Sequence, residues 1–340
     1  MIKFFRHIRK SLLMENKTGK YFKYAIGEII LVVIGILIAL SINNWNEKRQ
    51  NKLKVGNLLQ KIQKNIKADL SEINAITNFY ATKDSLIGLV MGNKLTIEDY
   101  QSPNSNHLHS LIFNAMQINL KNIGFNNLMR AQDIIPPEYE AILDKLYLQY
   151  NDHLVYAQDS ENELLESLTK FNDILFEKYD WYSSEVQGSL NAERVDYFLN
   201  NVRYKGMVRE YQTIAIHNYL NFNQNYAKAA LDAYNAINKI LSKQDEKPIG
   251  FNDLETNPEI KGKYKTLFGE TFQLIIKDNR NYIVSEAKDS SEWLHYAPNK
   301  FAVDGQFIRF GKQNDSINLY VGGYENGSKP FATKIEIDND

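Results

Sequence analysis

The stretch "YAIGEIILVVIGILIALSINNWNEKRQ", residues 24–50, decides how the rest of the chain is organised. Its central part, Ala25–Ile42, is 18 residues long and nearly all Ile, Leu, Val, Ala and Gly. A helix of that length spans ~27 Å, close to the ~30 Å hydrocarbon core of a bilayer. Tyr24 and Trp45 flank it, where aromatic rings favour the membrane interface. The pattern predicts a transmembrane helix over residues 25–42.

Two other interpretations of this stretch fit its pattern less well. A core helix of a soluble protein has a polar face, whereas apolar residues cover every face here. A cleaved signal peptide has an apolar region of about 7–15 residues followed by a small-residue cleavage site. This run is longer, and its only small-x-small candidate is Ala39-Leu40-Ser41. A retained signal-anchor is therefore expected.

The basic N-terminal flank predicts the orientation. Residues 1–24 contain one acid, Glu15, and seven basic residues: Lys3, Arg6, Arg9, Lys10, Lys17, Lys20 and Lys23. Such a flank stays in the cytoplasm, so a single-pass protein with the bulk of its chain on the other side of the membrane is expected. Lys48, Arg49, Lys52 and Lys54 weaken the charge bias. The tail is either a basic amphipathic helix on the membrane surface or a disordered segment that only sets the topology.

Composition limits the partners and the chemistry. The 340 residues are 44% hydrophobic, with 40 basic and 41 acidic side chains and a net charge of −1. This balance argues against nucleic acid as a partner. The apolar span makes the lipid bilayer a predicted partner. The chain has no cysteine, which excludes disulfides, thiolate metal sites and cysteine nucleophiles.

The first 50 residues, "MIKFFRHIRKSLLMENKTGKYFKYAIGEIILVVIGILIALSINNWNEKRQ", resemble the N-terminus of an uncharacterised family of single-pass membrane proteins from Bacteroidota. The segment "NIGFNNLMRAQDIIPPEYEAILDKLYLQYN" is similar to the helical part of the same family. The resemblance implies a bacterial inner membrane and a periplasmic domain. It implies no activity.

Helical periodicity dominates residues 43–241 and predicts an elongated antiparallel bundle with short connectors. A 3–4 stripe, interrupted by Asp69, runs through Val55, Leu59, Ile62, Ile66, Ile73, Ile76 and Tyr80. It fits either a homo-oligomeric coiled coil or one helix of an intramolecular bundle. Two further long helices are predicted, from Pro137 to about Tyr179 and from about Met207 to Leu241, with shorter ones over 106–116 and 192–201.

Residues 242–258 interrupt the helical pattern and are predicted to be a linker, and residues 259–337 change to a period of two. Alternating residues predict strands that form a small antiparallel β-barrel or sandwich: Phe272, Leu274 and Ile276; Ile308 and Phe310; Ile317, Leu319 and Val321; Phe331, Thr333, Ile335 and Ile337. The stretch "KGKYKTLFGETFQLIIKDNRNYIV" also resembles the opening of small lipocalin-like accessory modules.

No motif in the chain indicates catalysis, a cofactor or a metal. There is no G-x-S-x-G, phosphate-binding glycine loop, HExxH or EF-hand loop. His107 and His109 form an H-x-H pair, which shares a face only on a strand, and this stretch is not one. The numerous helical tyrosines are expected either in the core or along a ligand groove between helices.

One face of the predicted span is suited to contact with another helix. Gly27, Gly35 and Ala39 are small residues that permit close approach in lipid. Glu28 is costly inside a span. It either contacts a partner helix, reaches the headgroups at the cytoplasmic end, or couples to protons. A homo-oligomer or a partner membrane protein is therefore predicted.

The expected fold class is a membrane-anchored α+β protein: one transmembrane helix, a helical bundle and a small β-domain. Three functions are compatible with it. The first is a non-enzymatic inner-membrane scaffold or interaction protein, and the second is a periplasmic ligand sensor that signals through a partner. The third, which has the least support, is an enzyme or a proton-coupled accessory subunit, for which Glu28 is the one candidate residue.

Overall fold

A computed structural model describes residues 18–183, 192–242, 257–277, 280–287, 289–297, 299–303, 306–313, 315–321 and 330–335. The predicted basic residues Lys3, Arg6, Arg9, Lys10 and Lys17 lie outside the described residues, as does nearly all of the predicted linker. The described chain is mostly helical, and the helices are followed by an antiparallel sheet.

Helix α1, Thr18–Met91, runs for 74 residues without interruption. Its apolar part is exposed on every side, whereas Val55 and the stripe that follows are buried. The helix ends where Asn93 adopts a left-handed conformation with φ 50°. Such a residue terminates a helix by allowing the chain to turn back onto the last carbonyls. One continuous helix therefore carries both an exposed apolar surface and the central stripe of the bundle.

The second and third long helices occur where periodicity predicted them. The second consists of α5 (Glu140–Tyr147), a π-helical segment (Leu148–His153) and α6 (Leu154–Lys178). Two short helices follow, α7 (Asp180–Ser183) and α8 (Ala192–Asn200). The third long helix joins α9 (Val202–Tyr211), a π-helical segment (Gln212–Leu220) and α10 (Asn221–Ile240). It begins five residues before the predicted Met207.

The third long helix is antiparallel to the other two. Its contacts with α1 run in reverse order, from Gln63–Asn238 through Asp69–Tyr226 to Asp84–Gln212. Its contacts with the second helix also reverse, from Gln149–Tyr226 to Lys170–Glu210. Helix α1 and the second long helix are therefore parallel, and the chain between them must return along the bundle.

Residues 92–139 make this return, so two predictions were wrong here: that this connector is short, and that the first two long helices are antiparallel. They include α2 (Ile97–Gln101), α3 (Asn106–His109), α4 (Ile123–Met129) and 3-10 turns at Gln132–Ile134 and Pro137–Tyr139. The helix predicted over 106–116 ends at His109, because the residues after it turn their carbonyl oxygens towards Lys83 Nζ. Nearer the N-terminal end of the bundle, Gly124 packs on Ile62, and Glu138 forms an ion pair with Lys52.

The stripe of α1 is buried within the single chain. Val55, Leu59, Ile62, Ile66 and Ile73 form one cluster with Tyr226, Ala230, Tyr234 and Ile237 of α10. Ile76 and Tyr80 belong to a second cluster, which includes Tyr204, Tyr211 and Tyr219. The intramolecular interpretation of the stripe therefore accounts for its burial without a coiled coil.

The described part of the C-terminal region contains eight antiparallel strands: β1 (Gly262–Thr266), β2 (Thr271–Lys277), β3 (Arg280–Ser285), β4 (Ser290–Ala297), β5 (Lys300–Val303), β6 (Gln306–Gln313), β7 (Ser316–Val321) and β8 (Ala332–Ile335). Neighbouring strands pair in chain order, and β8 also pairs with β1, so the sheet curls into a closed barrel. Of the two predicted forms, barrel or sandwich, the structure has the barrel.

Aromatic rings fill the barrel interior. Tyr264 stacks on Phe272 at 5.4 Å, and Trp293, Phe301 and Phe310 pack beside them. Phe272, Leu274, Ile308, Phe310 and Leu319 point inward as their alternation predicted. The register predicted for the last strand was wrong, because the small Ala332 is the residue buried inside, while Phe331 lies partly exposed near Phe268.

Candidate functional site

Both π-helical segments contribute residues to one groove between the second and third long helices. The groove has a volume of about 540 Å³ and is lined by Leu148, His153, His217, Asn218, Asn221, Phe222, Asn225, Lys228, Ala229 and Asp232. We call it the π-segment groove. A π turn inserts an extra residue into a helix and is frequent at functional sites. Two such turns at one groove make it the candidate site of the bundle.

Two half-buried histidines lie in the groove, one from each π segment. Burial lowers the pKa of His153, and the charge of Asp152 opposes that shift. Burial also lowers the pKa of His217, where the charge of Asp84 opposes it. Both imidazoles are therefore neutral at pH 7, and each offers one hydrogen-bond donor and one acceptor.

The remaining lining is rich in amides. Asn221 is buried and Asn218 donates to Glu163 Oε2 at 3.2 Å. The ring of Phe222 stacks on Tyr156 with a centroid distance of 5.7 Å. Lys228 and Asp232 are four residues apart and share a helix face. Neutral donors and acceptors, one charge of each sign and an aromatic surface suit a small polar molecule.

Each π segment also reaches a buried carboxylate of α1. Gln212 Nε2 donates to Asp84 Oδ1 at 2.7 Å. In the other segment Gln149 Nε2 donates to the Tyr226 hydroxyl at 3.1 Å, and that hydroxyl donates to Asp69 Oδ2 at 2.8 Å. The segment with Gln212 is therefore hydrogen-bonded directly to α1, and the segment with Gln149 is linked to α1 through Tyr226.

The residues predicted on the apolar segment all lie along the exposed part of α1. A Cβ added at Gly27 or Gly35 meets nothing within 4 Å, Ala39 is exposed, and Glu28 is half-exposed. Trp45 is 64% exposed. Lys23 is exposed, and Lys20 and Tyr24 have helical backbone. The proposed helix-contact face is thus open in the single chain.

The H-x-H pair does not converge. His107 is exposed, whereas His109 is buried, with Nε2 3.0 Å from the carbonyl oxygen of Tyr100 and its ring against Phe198. In the described part of the chain, no three histidine or carboxylate side chains are close enough to share a metal ion.

Many of the helical tyrosines lie in the core. Tyr80, Tyr204, Tyr211, Tyr219 and Tyr226 are fully buried. No sequence pattern predicted that His153 and His217 share a groove. Nothing in their spacing of 64 positions indicates this, because only the pairing of two helices brings them together.

Comparison with known proteins gives one match. Residues 28–178 match the model of a family of unknown function (DUF6090). The match begins inside the apolar segment and ends with α6, so it contains His153 but not the third long helix with His217. It agrees with the resemblance to an uncharacterised family. No curated protein and no solved structure matches the chain.

Proposed function

We propose that the chain is a non-enzymatic protein of a bacterial inner membrane, anchored by residues 25–42. Its N-terminus lies in the cytoplasm, and its bundle and barrel are displayed in the periplasm as an interaction device or scaffold. The observation that supports this most is α1 itself, which is exposed and apolar over the predicted span and buried in the bundle from Val55 onward. It is the one helix in the described residues that is long and apolar enough to cross a membrane.

The anchor is tested by two exposed substitutions within the span. Ile34 and Ile38 are 49% and 55% exposed, so Ile34→Arg/Ile38→Arg leaves the bundle packing untouched. Each arginine near the centre of a span costs about 3 kcal/mol of insertion free energy. We expect the variant to be released by an alkaline wash that leaves the wild-type chain in the membrane pellet.

A matched control places arginines at exposed apolar positions of the bundle. Ile123 and Val202 are 70% and 84% exposed. Ile123→Arg/Val202→Arg should remain in the pellet. Release of the wild-type chain would refute the anchor. Orientation is tested separately by a reporter fused after Asp340 that is active only outside the cytoplasm; activity of a cytoplasm-only reporter at that position would refute the orientation.

A second candidate function, a ligand sensor that signals through a partner, is favoured by the π-segment groove. The groove is polar and open, and its walls are hydrogen-bonded to Asp84 and, through Tyr226, to Asp69 of α1. Binding there would act on the same helix that forms the proposed anchor.

Thermal-shift titration of the full chain with amino acids, sugars and nucleosides tests the sensor. A ligand of the groove raises the midpoint of thermal unfolding, and His217→Leu/Asn225→Leu abolishes the increase. The control His107→Leu/Asn104→Leu changes the same residue types at exposed positions and should preserve it. A shift that survives in the groove variant would place the ligand elsewhere.

A further inference from the structure

A second groove lies where α1 leaves the apolar segment. It has a volume of about 820 Å³. One wall is a single helix face formed by Trp45, Lys48, Arg49 and Lys52, which follow the i, i+3, i+4, i+7 spacing. The other wall is the returning segment Asp133–Glu138. We call this the juxtamembrane groove.

The helix wall is basic and aromatic. Arg49 lies over the ring of Trp45 with its guanidinium carbon 5.9 Å from the centroid. Lys52 is paired with Glu138 at 3.3 Å. Among the described residues no ion pair is formed by Lys48 or Arg49, so their charges remain available to an anion in spite of Asp133 on the other wall.

The opposite wall is partly apolar. Three of its residues are only partly exposed: Ile134, Ile135 and Pro136. The two isoleucines pack against the buried cluster that contains Val55. The return of residues 92–139 along α1 brings this loop back to the start of the bundle, where Glu138 meets Lys52. The groove therefore combines cations on one side with apolar surface on the other.

The helix wall of the groove begins at the level of the lipid headgroup layer. A helix rises ~1.5 Å per residue, so Trp45 lies ~4.5 Å, Arg49 ~10 Å and Lys52 ~15 Å beyond Ile42 along the axis. The polar headgroup region is roughly 5–8 Å thick on each side of the hydrocarbon core. With residues 25–42 in the membrane, Trp45 lies within the headgroups, and the backbones of Lys48 and Arg49 lie ~9–10 Å beyond Ile42, just outside them. Side chains on a helix lean towards its N-terminus, which here is the membrane side, so both cations extend back towards the phosphates.

We infer that the juxtamembrane groove binds an anionic phospholipid of the leaflet from which α1 emerges. Lys48 and Arg49 hold the phosphate, the Trp45 ring lies beside the glycerol region, and Ile134 and Ile135 form the apolar wall of the groove on the side away from the bilayer. This inference rests on the proposed membrane anchor. It also gives a function to Lys48, Arg49 and Lys52. Considered only as topology signals, these cations weaken the charge bias on which the predicted orientation rests.

Native mass spectrometry of the full chain in detergent tests the inference. Synthetic phosphatidylglycerol is added, with phosphatidylcholine as the neutral comparison and inorganic phosphate as the free anion. We expect phosphatidylglycerol adducts to exceed phosphatidylcholine adducts. Each juxtamembrane cation contributes about fivefold to anionic lipid binding, so Lys48→Gln/Arg49→Gln/Lys52→Gln should reduce the adduct roughly tenfold to a hundredfold.

The matched control is Lys54→Gln/Lys61→Gln/Lys64→Gln, which removes three exposed cations of the same helix that do not line the groove. It should retain the wild-type adduct. Equal binding of the two lipids, an equal loss in both triple variants, or displacement of the lipid by millimolar phosphate would each overturn the inference. Both triple variants should stay in the membrane pellet after an alkaline wash, so failure of lipid binding is distinguishable from failure of the anchor.

Discussion

The hydroxyl of Tyr226 donates a hydrogen bond of 2.8 Å to Oδ2 of Asp69, a carboxylate that is fully buried in the bundle and lies 157 positions away. The backbone N–H of Lys121 donates to Oδ1 at 3.1 Å, and Lys121 Nζ lies 3.8 Å from the same oxygen. Three segments of the chain therefore meet at one acid. It is the residue that interrupts the apolar stripe of α1.

Asp69 should make the stability of the bundle depend on pH. Burial raises its pKa from 3.8 to about 6, although the hydrogen bond from Tyr226 opposes the shift. Because the folded state holds the proton more tightly than the unfolded state, stability falls as pH rises from about 4 to about 6 and is level above that. The accumulated loss is about 3 kcal/mol.

Asp69→Asn removes this titration. Relative to the wild type, the variant should gain about 3 kcal/mol of unfolding free energy between pH 4 and pH 8. Urea unfolding in detergent, followed by far-UV circular dichroism, measures it. Tyr226→Phe is the complementary change and should destabilise by about 2 kcal/mol at pH 8, since a hydrogen bond to a charged group is lost. Parallel pH profiles for wild type and Asp69→Asn would show that Asp69 does not titrate in this range.

Lys83 presents the opposite case, a buried cation. Its Nζ donates to the carbonyl oxygen of Leu111 at 2.5 Å and to the side chain and carbonyl oxygens of Asn114 at 2.5 and 3.0 Å. The rings of Phe79 and Tyr211 lie 5.1 and 4.9 Å away. Burial lowers the pKa of Lys83 to about 7.

Replacement of Lys83 should therefore be most harmful at alkaline pH. The folded state disfavours the charged form, so wild-type stability rises as pH increases from about 7 towards 10.5. Lys83→Met leaves three acceptors without a donor and should cost roughly 3 kcal/mol at pH 9, and less at pH 6.5. The exposed Lys64→Met is the control. A cost that is equal at the two pH values would contradict the titration of Lys83.

Gly124 allows the returning chain to approach α1 closely. A Cβ there would lie 3.0 Å from Ile62 Cγ1 and 3.2 Å from Ile62 Cα. The helix backbone cannot retreat cheaply, so Gly124→Ala should destabilise by about 1–3 kcal/mol. Gly206→Ala meets nothing within 4 Å and should stabilise by up to about 1 kcal/mol, because alanine is the better helix former. Chemical unfolding of both variants measures the contrast, and equal effects would refute it.

The histidines of the π-segment groove should contribute to acid sensitivity. Burial lowers the pKa of both His153 and His217, so the folded state resists their protonation. Their contribution is fully present above the unfolded pKa of about 6.5 and is lost as pH falls below it. His153→Gln/His217→Gln should lose less stability than the wild type between pH 7 and pH 5. The exposed His107→Gln should follow the wild-type curve, and a double variant that does the same would refute the prediction.

Much of the helical fold could be predicted because local pattern decides it. The stripe from Val55 to Tyr80 has the spacing of one helix face, and that face is buried. The path of residues 92–139 could not be predicted, since it depends on α1 and the second long helix being parallel. The alternation in β2 and β6 was sufficient to predict that Phe272 and Phe310 lie inside the barrel. The same rule gave the wrong register for β8, because the crowded interior accepts the small Ala332 more readily than Phe331.

The candidate sites were harder to predict for a related reason. A π turn has no periodicity of its own within a helical pattern, so neither Leu148–His153 nor Gln212–Leu220 was expected. Asp69 did stand out as a charge in an apolar stripe. Its partner Tyr226 did not, because tyrosine also fits an ordinary core position.

The open face of the apolar segment permits a last prediction about assembly. A Cβ at Gly35 meets no atom within 4 Å, so Gly35→Leu cannot disturb the single chain. If this face holds the protein to another span, the larger side chain separates the two helix backbones and weakens association. Interhelical hydrogen bonds in lipid contribute only about 0.6 kcal/mol on average, so Glu28→Gln should do less damage.

Crosslinking in native membranes and a growth phenotype, both measured on each variant, separate the roles of this face. Helix contact predicts a lower crosslinking yield for Gly35→Leu than for Glu28→Gln. Proton coupling predicts instead that Glu28→Gln impairs growth more than Gly35→Leu does, because an amide cannot cycle a proton. The crosslinking yield of Glu28→Gln should then remain that of the wild type. Ser41→Leu is the control, since it enlarges a small exposed residue about 200° around the helix from Ala39. If Gly35→Leu and Ser41→Leu both crosslink like the wild type, the segment acts as an anchor alone, and contacts with partners must be made by the bundle and the barrel.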